Sequence, residues 1–197
     1  MNLLLASLLF LAFVGGMLAL HSRERRQLFV RWRAFANDKK LECSQSSFLA
    51  YPRIHGTLEG VPVEVYVQQG TLEDSQELNT CAGATSPLVL PRNLHVSEEG
   101  LLARLGKALV GQDIQTEDPE LDSALILRGA DRQEVLDFFR RSGVREAVLR
   151  FVRSGGLISG QSLIVQDRGI TWDGDQLEAM LRAIVAVARA LNASAEP

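Results

Sequence analysis

Residues that advertise chemistry are scarce in this chain. Cysteine occurs twice and histidine three times in 197 residues. Cys43 and Cys81 form no C-x-x-C pair, and no histidine stands beside them at a metal-ligand spacing. His21, His55 and His95 are far apart, each in a different kind of segment. The motifs G-x-G-x-x-G, G-x-S-x-G and H-E-x-x-H are absent, which removes the dinucleotide fingerprint, the hydrolase nucleophile elbow and the zinc-protease helix. "GLLARLGKAL" at 100–109 imitates a phosphate loop only superficially. It has one residue too many between its glycines, Ala108 replaces the required Ser or Thr, and it reads as helix interior. No catalytic residue and no cofactor is expected.

Charge is missing from the N-terminus. From Asn2 to Leu20 there is no Asp, Glu, Lys or Arg, and the only polar side chains are Asn2 and Ser7. Nineteen helical residues at about 1.5 Å each reach roughly 28 Å, near the hydrocarbon thickness of a bilayer. A secretory signal would show a basic leader, a shorter apolar run and small residues at the cleavage site. Ala19 has the bulky Met17 two positions before it. The expectation is therefore an uncleaved transmembrane anchor over 1–20, the alternative being a secreted or periplasmic protein after signal cleavage. Seven basic residues against two acids follow in 21–40, and basic flanks are held on the cytoplasmic side. That places the N-terminus out and the domain in the cytoplasm, as a single-pass membrane protein with membrane lipid as one partner.

The charge balance then reverses. Residues 21–40 carry a net +5, whereas 41–197 hold 14 basic and 22 acidic residues, a net of −8. An acidic domain is a poor match for a phosphate backbone, so nucleic acid is not an expected partner. Reduced thiols at Cys43 and Cys81 suit the cytoplasm, and a bridge between them would suit the other side of the membrane.

Periodicity divides the rest. Leu28, Trp32 and Phe35 recur at helical spacing within 21–40, with Arg23, Arg25, Arg26, Arg31 and Arg33 around them. This predicts a basic juxtamembrane amphipathic helix, whose stripe either lies at the membrane interface or packs on the domain. Residues 41–192 form one α+β domain, and 193–197 a tail. "RIHGTLEGVPVEVYVQ" alternates as two strands about Glu59-Gly60, and "ELNTCAGAT" and "LVLPRNLHV" read as two more, with Pro62 and Pro91 at edge or end positions. A short helix is expected from Ser97 through "GLLARLGKAL". "SALILRG" reads as a strand, "ADRQEVLDFFRRSG" as a helix with an Asp131/Glu134 capping box, and "VREAVLRFVRSGG" as another helix. "LISGQSLIVQDRGITW" is a hairpin, and an apolar stripe from Leu177 to Leu191 marks a last helix opened at Asp173. The fold class is α+β: one N-terminal transmembrane helix, then a single domain of mostly antiparallel strands with four to five helices.

Five acids crowd one loop: Asp113, Glu117, Asp118, Glu120 and Asp122. Calcium favours several carboxylate oxygens on a tight turn, so this loop is the candidate metal site. The EF-hand spacing is absent and Pro119 stiffens the centre, which equally suits a solvated loop. The same stretch, "GQDIQTEDPELDSALILRGADRQEVLDFF", with "VREAVLRF", "LEAMLRAIVAVARAL", "WRAFANDKKL" and "GTLEGVPVEVYV", resembles an uncharacterised bacterial family of membrane-anchored α+β domains. Leu121 stands where that pattern has Phe in an acidic Asp-x-Phe-Asp-type loop. The resemblance spans Trp32 to Leu191 and implies a fold but no activity. The functional expectation is a non-enzymatic module presenting an acidic domain to a protein partner at the cytoplasmic membrane face. The alternative is a small metal-dependent enzyme or metal-binding domain centred on Asp113–Asp122.

Overall fold

The computed structural model describes residues 2–69, 77–98, 113–116 and 118–194. Helix α1 (Asn2–Asp38) leads into strand β1 (Glu42–Ser44), and β2 (Arg53–Leu58), β3 (Val61–Gln69), β4 (Leu78–Thr85) and β5 (His95–Ser97) follow. Next come α2 (Pro119–Ala124), β6 (Ile126–Arg128), α3 (Arg132–Arg140), α4 (Val144–Arg153), β7 (Gly156–Ser159), β8 (Ser162–Arg168) and α5 (Gly174–Ala193). The helix expected after Ser97 falls almost wholly outside the described residues.

The α+β architecture is as expected, and among the described residues eight strands form one sheet in the order β1-β2-β3-β4-β8-β7-β5-β6. Every strand pair in it is antiparallel. The β2–β3 turn works because Glu59 and Gly60 both adopt left-handed backbone, at φ 50° and 83°, the conformation whose twist matches a two-residue hairpin. Pro62 sits one residue before the β3–β4 ladder begins at Val63↔Ala84, so its missing N–H costs no sheet bond.

One face of the sheet carries Val63, Val65, Ala82, Ala84, Leu163, Val165, Val96 and Ile158, all buried in a single core. Helix α5 covers β3, β4 and β8 on this face, α4 packs on α5 and β7, and α1 reaches β1, β2 and α5. The opposite face carries Glu64, Tyr66, Cys81, Gly83 and Ile164 in one register row or its neighbours. Helices on one side and polar side chains on the other are what period-2 strands produce in a two-layer domain.

The N-terminus corrects the expectation of a membrane anchor. Among the described residues no helix is long and apolar enough to cross a membrane. Rather than ending near Leu20, α1 continues without a break through Arg23, Glu24, Arg25 and Arg26 to Asp38. The helix thus runs unbroken past the expected boundary at residue 20, and its second half packs on the domain. Leu28, Trp32 and Ala36 are at most 1% exposed within the core. The transmembrane helix, the single-pass membrane topology and the cytoplasmic placement derived from it do not stand. Phe10, Leu11, Phe13, Met17 and Leu20 lie exposed along the first half of the rod.

A disulfide is also excluded on geometry. In register, Cys43 opposes Ile54, Ile54 opposes Val65, and Val65 opposes Ala82, the neighbour of Cys81. Three strand spacings separate the thiols by roughly 14 Å, about twice a bridge's reach. Both cysteines are free.

Candidate functional site

The acidic loop folds into a clasp in which each described acid has a partner, Asp118 and Glu120 sharing Arg145. Asp118 caps α2: its Oδ1 accepts from the Glu120 and Leu121 amides at 2.9 and 3.3 Å, and Pro119 fills the first helical turn. Its other oxygen accepts from Arg145 Nε at 2.6 Å, and Arg145 Nη2 reaches Glu120 at 2.6 Å. Arg153 holds the remaining Glu120 oxygen at 3.0 Å. Asp122 turns inward and accepts from both the amide and the hydroxyl of Thr116 at 2.8 Å. Asp113 pairs with Arg128 at 2.7 Å. Glu117 lies outside the described residues.

Electrostatics follow from this arrangement. The Arg145 guanidinium, with two backbone amides, holds the Asp118 carboxyl down at about 2. Arg145 and then Arg153 lower Glu120 as well. A calcium site needs six or more oxygens converging on one point, and any cation site needs carboxylates aimed at a common point. Here Asp118 and Glu120 face guanidiniums, while Asp122 and Asp113 point to different partners. Among the described residues no three His, Cys, Asp or Glu are grouped to hold a metal ion. The clasp joins α2 to α4 across 27 residues of sequence, which is why no local pattern announced Arg145 as the partner.

The basic segment of α1 is the second candidate. Leu28 and Trp32 are buried, and Phe35 is half-buried against the core, so the apolar stripe packs on the domain. Trp32 Nε1 donates to the Thr171 carbonyl at 2.9 Å, which fixes the helix against the segment before α5. Lys39 pairs with Glu178 of α5 at 2.9 Å. The arginines then divide. Arg25 lies over Tyr51 at 4.5 Å, Arg31 over Trp172 at 5.6 Å and Arg33 over Phe29 at 6.0 Å. Arg23 and Arg26 instead line a cleft between α1 and the β1–β2 loop, with Gln45 and Phe48 across from them.

No protein-family model matches the chain, and no curated protein sequence does. Its fold is similar to the crystal structure of the mycobacterial trehalose monomycolate transport factor A, TtfA. The TM-score is 0.53 at 14% identity, covering 85% of this chain and 96% of that one. At that identity the likeness is one of fold.

The histidines do not converge. His21 is on α1, its Nδ1 3.0 Å from the Met17 carbonyl. His55 on β2 faces Glu42 of β1 at 3.2 Å on the exposed edge of the sheet. His95 is buried in β5 at the other end of the strand order.

Proposed function

We propose that this chain is a non-enzymatic docking module whose acidic domain engages a basic surface on a protein partner, in an assembly concerned with transport. The observation that carries the reading is the likeness in fold, over most of both chains, to a protein described as a transport factor. Two features support it. Residues 41–197 carry 14 basic and 22 acidic residues, a net −8 that would steer association with a basic partner. The four described acids of the Asp113–Asp122 loop, Asp113, Asp118, Glu120 and Asp122, are engaged structurally by Arg128, Arg145, Arg153 and Thr116.

The test is carboxyl-to-amine cross-linking of the tagged full-length chain in cells that produce it, followed by purification and peptide mapping. Exposed acids on α3 and α5, such as Asp137 and Asp175, should cross-link to lysines of a component of a transport assembly. Without cross-linker, the complex should weaken steeply as salt rises. Recovery of the chain alone at low salt overturns the docking reading, and a complex indifferent to salt overturns the role of the acidic surface.

A further inference from the structure

The cleft between the middle of α1 and the β1–β2 loop has a volume of about 700 Å³, within the range of small-molecule sites. Its composition is specific. Arg23 and Arg26 stand three residues apart, on adjacent positions of one helix face, and among the described residues neither has a carboxylate partner. Phe29 and Phe48 close the cleft from opposite sides, and Phe48 is 70% exposed, a large ring with no packing reason to sit there. The loop that carries Phe48 is braced, because Gln45 Nε2 donates to the Ala50 carbonyl at 2.7 Å. Arg33 lies over Phe29 and holds that ring. Two guanidiniums side by side match the several oxygens of a phosphate better than a single carboxylate. Aromatic walls next to them suit an apolar chain attached to that phosphate.

The helix supplies a path for the chain. The face that bears Arg26 also bears Ala19, Gly15 and Leu11 in the preceding turns, all exposed. A methyl group placed on Gly15 would meet nothing within 4 Å, so the track is unobstructed. At about 1.5 Å per residue it extends roughly 18 Å from Arg23 to Leu11. The surrounding charge points the same way. Residues 21–40 hold seven basic and two acidic residues in an otherwise acidic chain. This end of the molecule is where an anion is drawn.

We propose that this cleft binds a phosphate-headed amphiphile: a phosphate monoester held by Arg23 and Arg26, with its alkyl chain between Phe29 and Phe48 and along α1. The proposal stands independently of the protein-docking reading. It is tested by calorimetric titration of the full-length chain with dodecyl phosphate below its micelle concentration, with inorganic phosphate and with neutral dodecyl maltoside as comparisons. Saturable binding of one dodecyl phosphate per chain is expected, with both comparison compounds at least about tenfold weaker. Each lost charged hydrogen bond should weaken binding by about tenfold or more, so Arg23→Gln/Arg26→Gln should largely abolish it. Phe48→Ser, an exposed loop change with no core contact, should weaken dodecyl phosphate without altering the response to inorganic phosphate. A diazirine-bearing alkyl phosphate should label the peptides containing residues 22–29 and 45–48. Equal binding of all three compounds overturns the proposal, and so do wild-type affinity in the double-arginine variant and labelling elsewhere. Inorganic phosphate binding as tightly as dodecyl phosphate would reduce the site to an anion site and overturn the amphiphile.

Discussion

Replacing Trp32 with phenylalanine tests whether the second half of α1 is part of the domain. The indole is 0% exposed, and its Nε1–H donates to the Thr171 carbonyl at 2.9 Å. That residue is itself held: the Thr171 amide donates to Thr80 Oγ1 at 2.8 Å, and its hydroxyl donates to Asp167 at 2.7 Å. Phenylalanine removes the donor and leaves a buried carbonyl unsatisfied, costing about 1–3 kcal/mol. The missing ring leaves a void of roughly 40 Å³, which adds about 1 kcal/mol. The sum is about 2–4 kcal/mol, a large part of the roughly 5–15 kcal/mol that holds a domain together. Urea unfolding followed by far-UV circular dichroism should show the midpoint falling with an unchanged slope. Trp32→Ala should lose more, about 3–5 kcal/mol. A Trp32→Phe loss below about 0.5 kcal/mol, the scale of a surface change, would mean that the helix does not pack where it is placed.

Other consequences follow from single contacts. Arg145→Gln should destabilise the chain near neutral pH. Because the Asp118 carboxyl is depressed from 3.8 to about 2, its stabilisation is present above about pH 4 and lost as pH falls towards 2. The gap in melting temperature between wild type and Arg145→Gln should therefore close over that window, and a pH-independent gap would refute the clasp. Gly156→Ala would bring a methyl group to 2.6 Å from the Phe151 ring. It should cost about 1–3 kcal/mol in urea unfolding, partly recovered when Phe151→Leu is added. Burial pushes the Cys81 thiol up to about 11 and raises Cys43 as well, so iodoacetamide should modify the native chain slowly. Half-buried Cys43 should react before Cys81, and two adducts should appear by intact mass once the chain is unfolded.

Where pattern and fold coincide, the sequence was readable. The alternation of Val61, Val63 and Val65 about Glu59-Gly60 could serve only a hairpin, and the Leu177–Leu191 stripe only a buried helix face. The Asp131 cap forms as expected, accepting from the Gln133 and Glu134 amides, but the capping box is half-made. Glu134 turns its carboxylate to the Arg92 amide at 3.4 Å instead of closing back on Asp131. Short elements left no period to detect. Strand β1 is Glu-Cys-Ser and exists only by pairing with β2. Helix α2 has six residues with acids and a proline at its start, a composition shared with loops. The segment 88–94 read as strand, yet only 95–97 pair, because Pro91–Leu94 forms a turn, with the Leu94 amide donating to the Pro91 carbonyl and Asn93 at φ 57°. The β4–β8 pairing joins residues some 80 positions apart, and no local pattern marks it; α5 packs over both strands. The apolar N-terminus misled most: its composition suggested a membrane span, whereas the packing of the Leu28/Trp32 stripe on the domain was one of the two outcomes expected for it. The acidic loop misled for a related reason: its carboxylates were visible and their guanidinium partners on α4 were not.

The reading of the acidic loop as a structural clasp in a docking module is tested most directly by metal titration. The melting temperature of the full-length chain would be measured with and without millimolar calcium, magnesium or manganese. A cation that binds only the folded state at a hundred times its Kd adds about 2.7 kcal/mol, a shift of several degrees for a chain of this size. With Asp118 and Glu120 held by Arg145 and Arg153, the account predicts no saturable rise with any of the three. A rise that saturates with concentration and disappears in Asp118→Asn/Asp122→Asn would contradict it and restore a metal site to the loop.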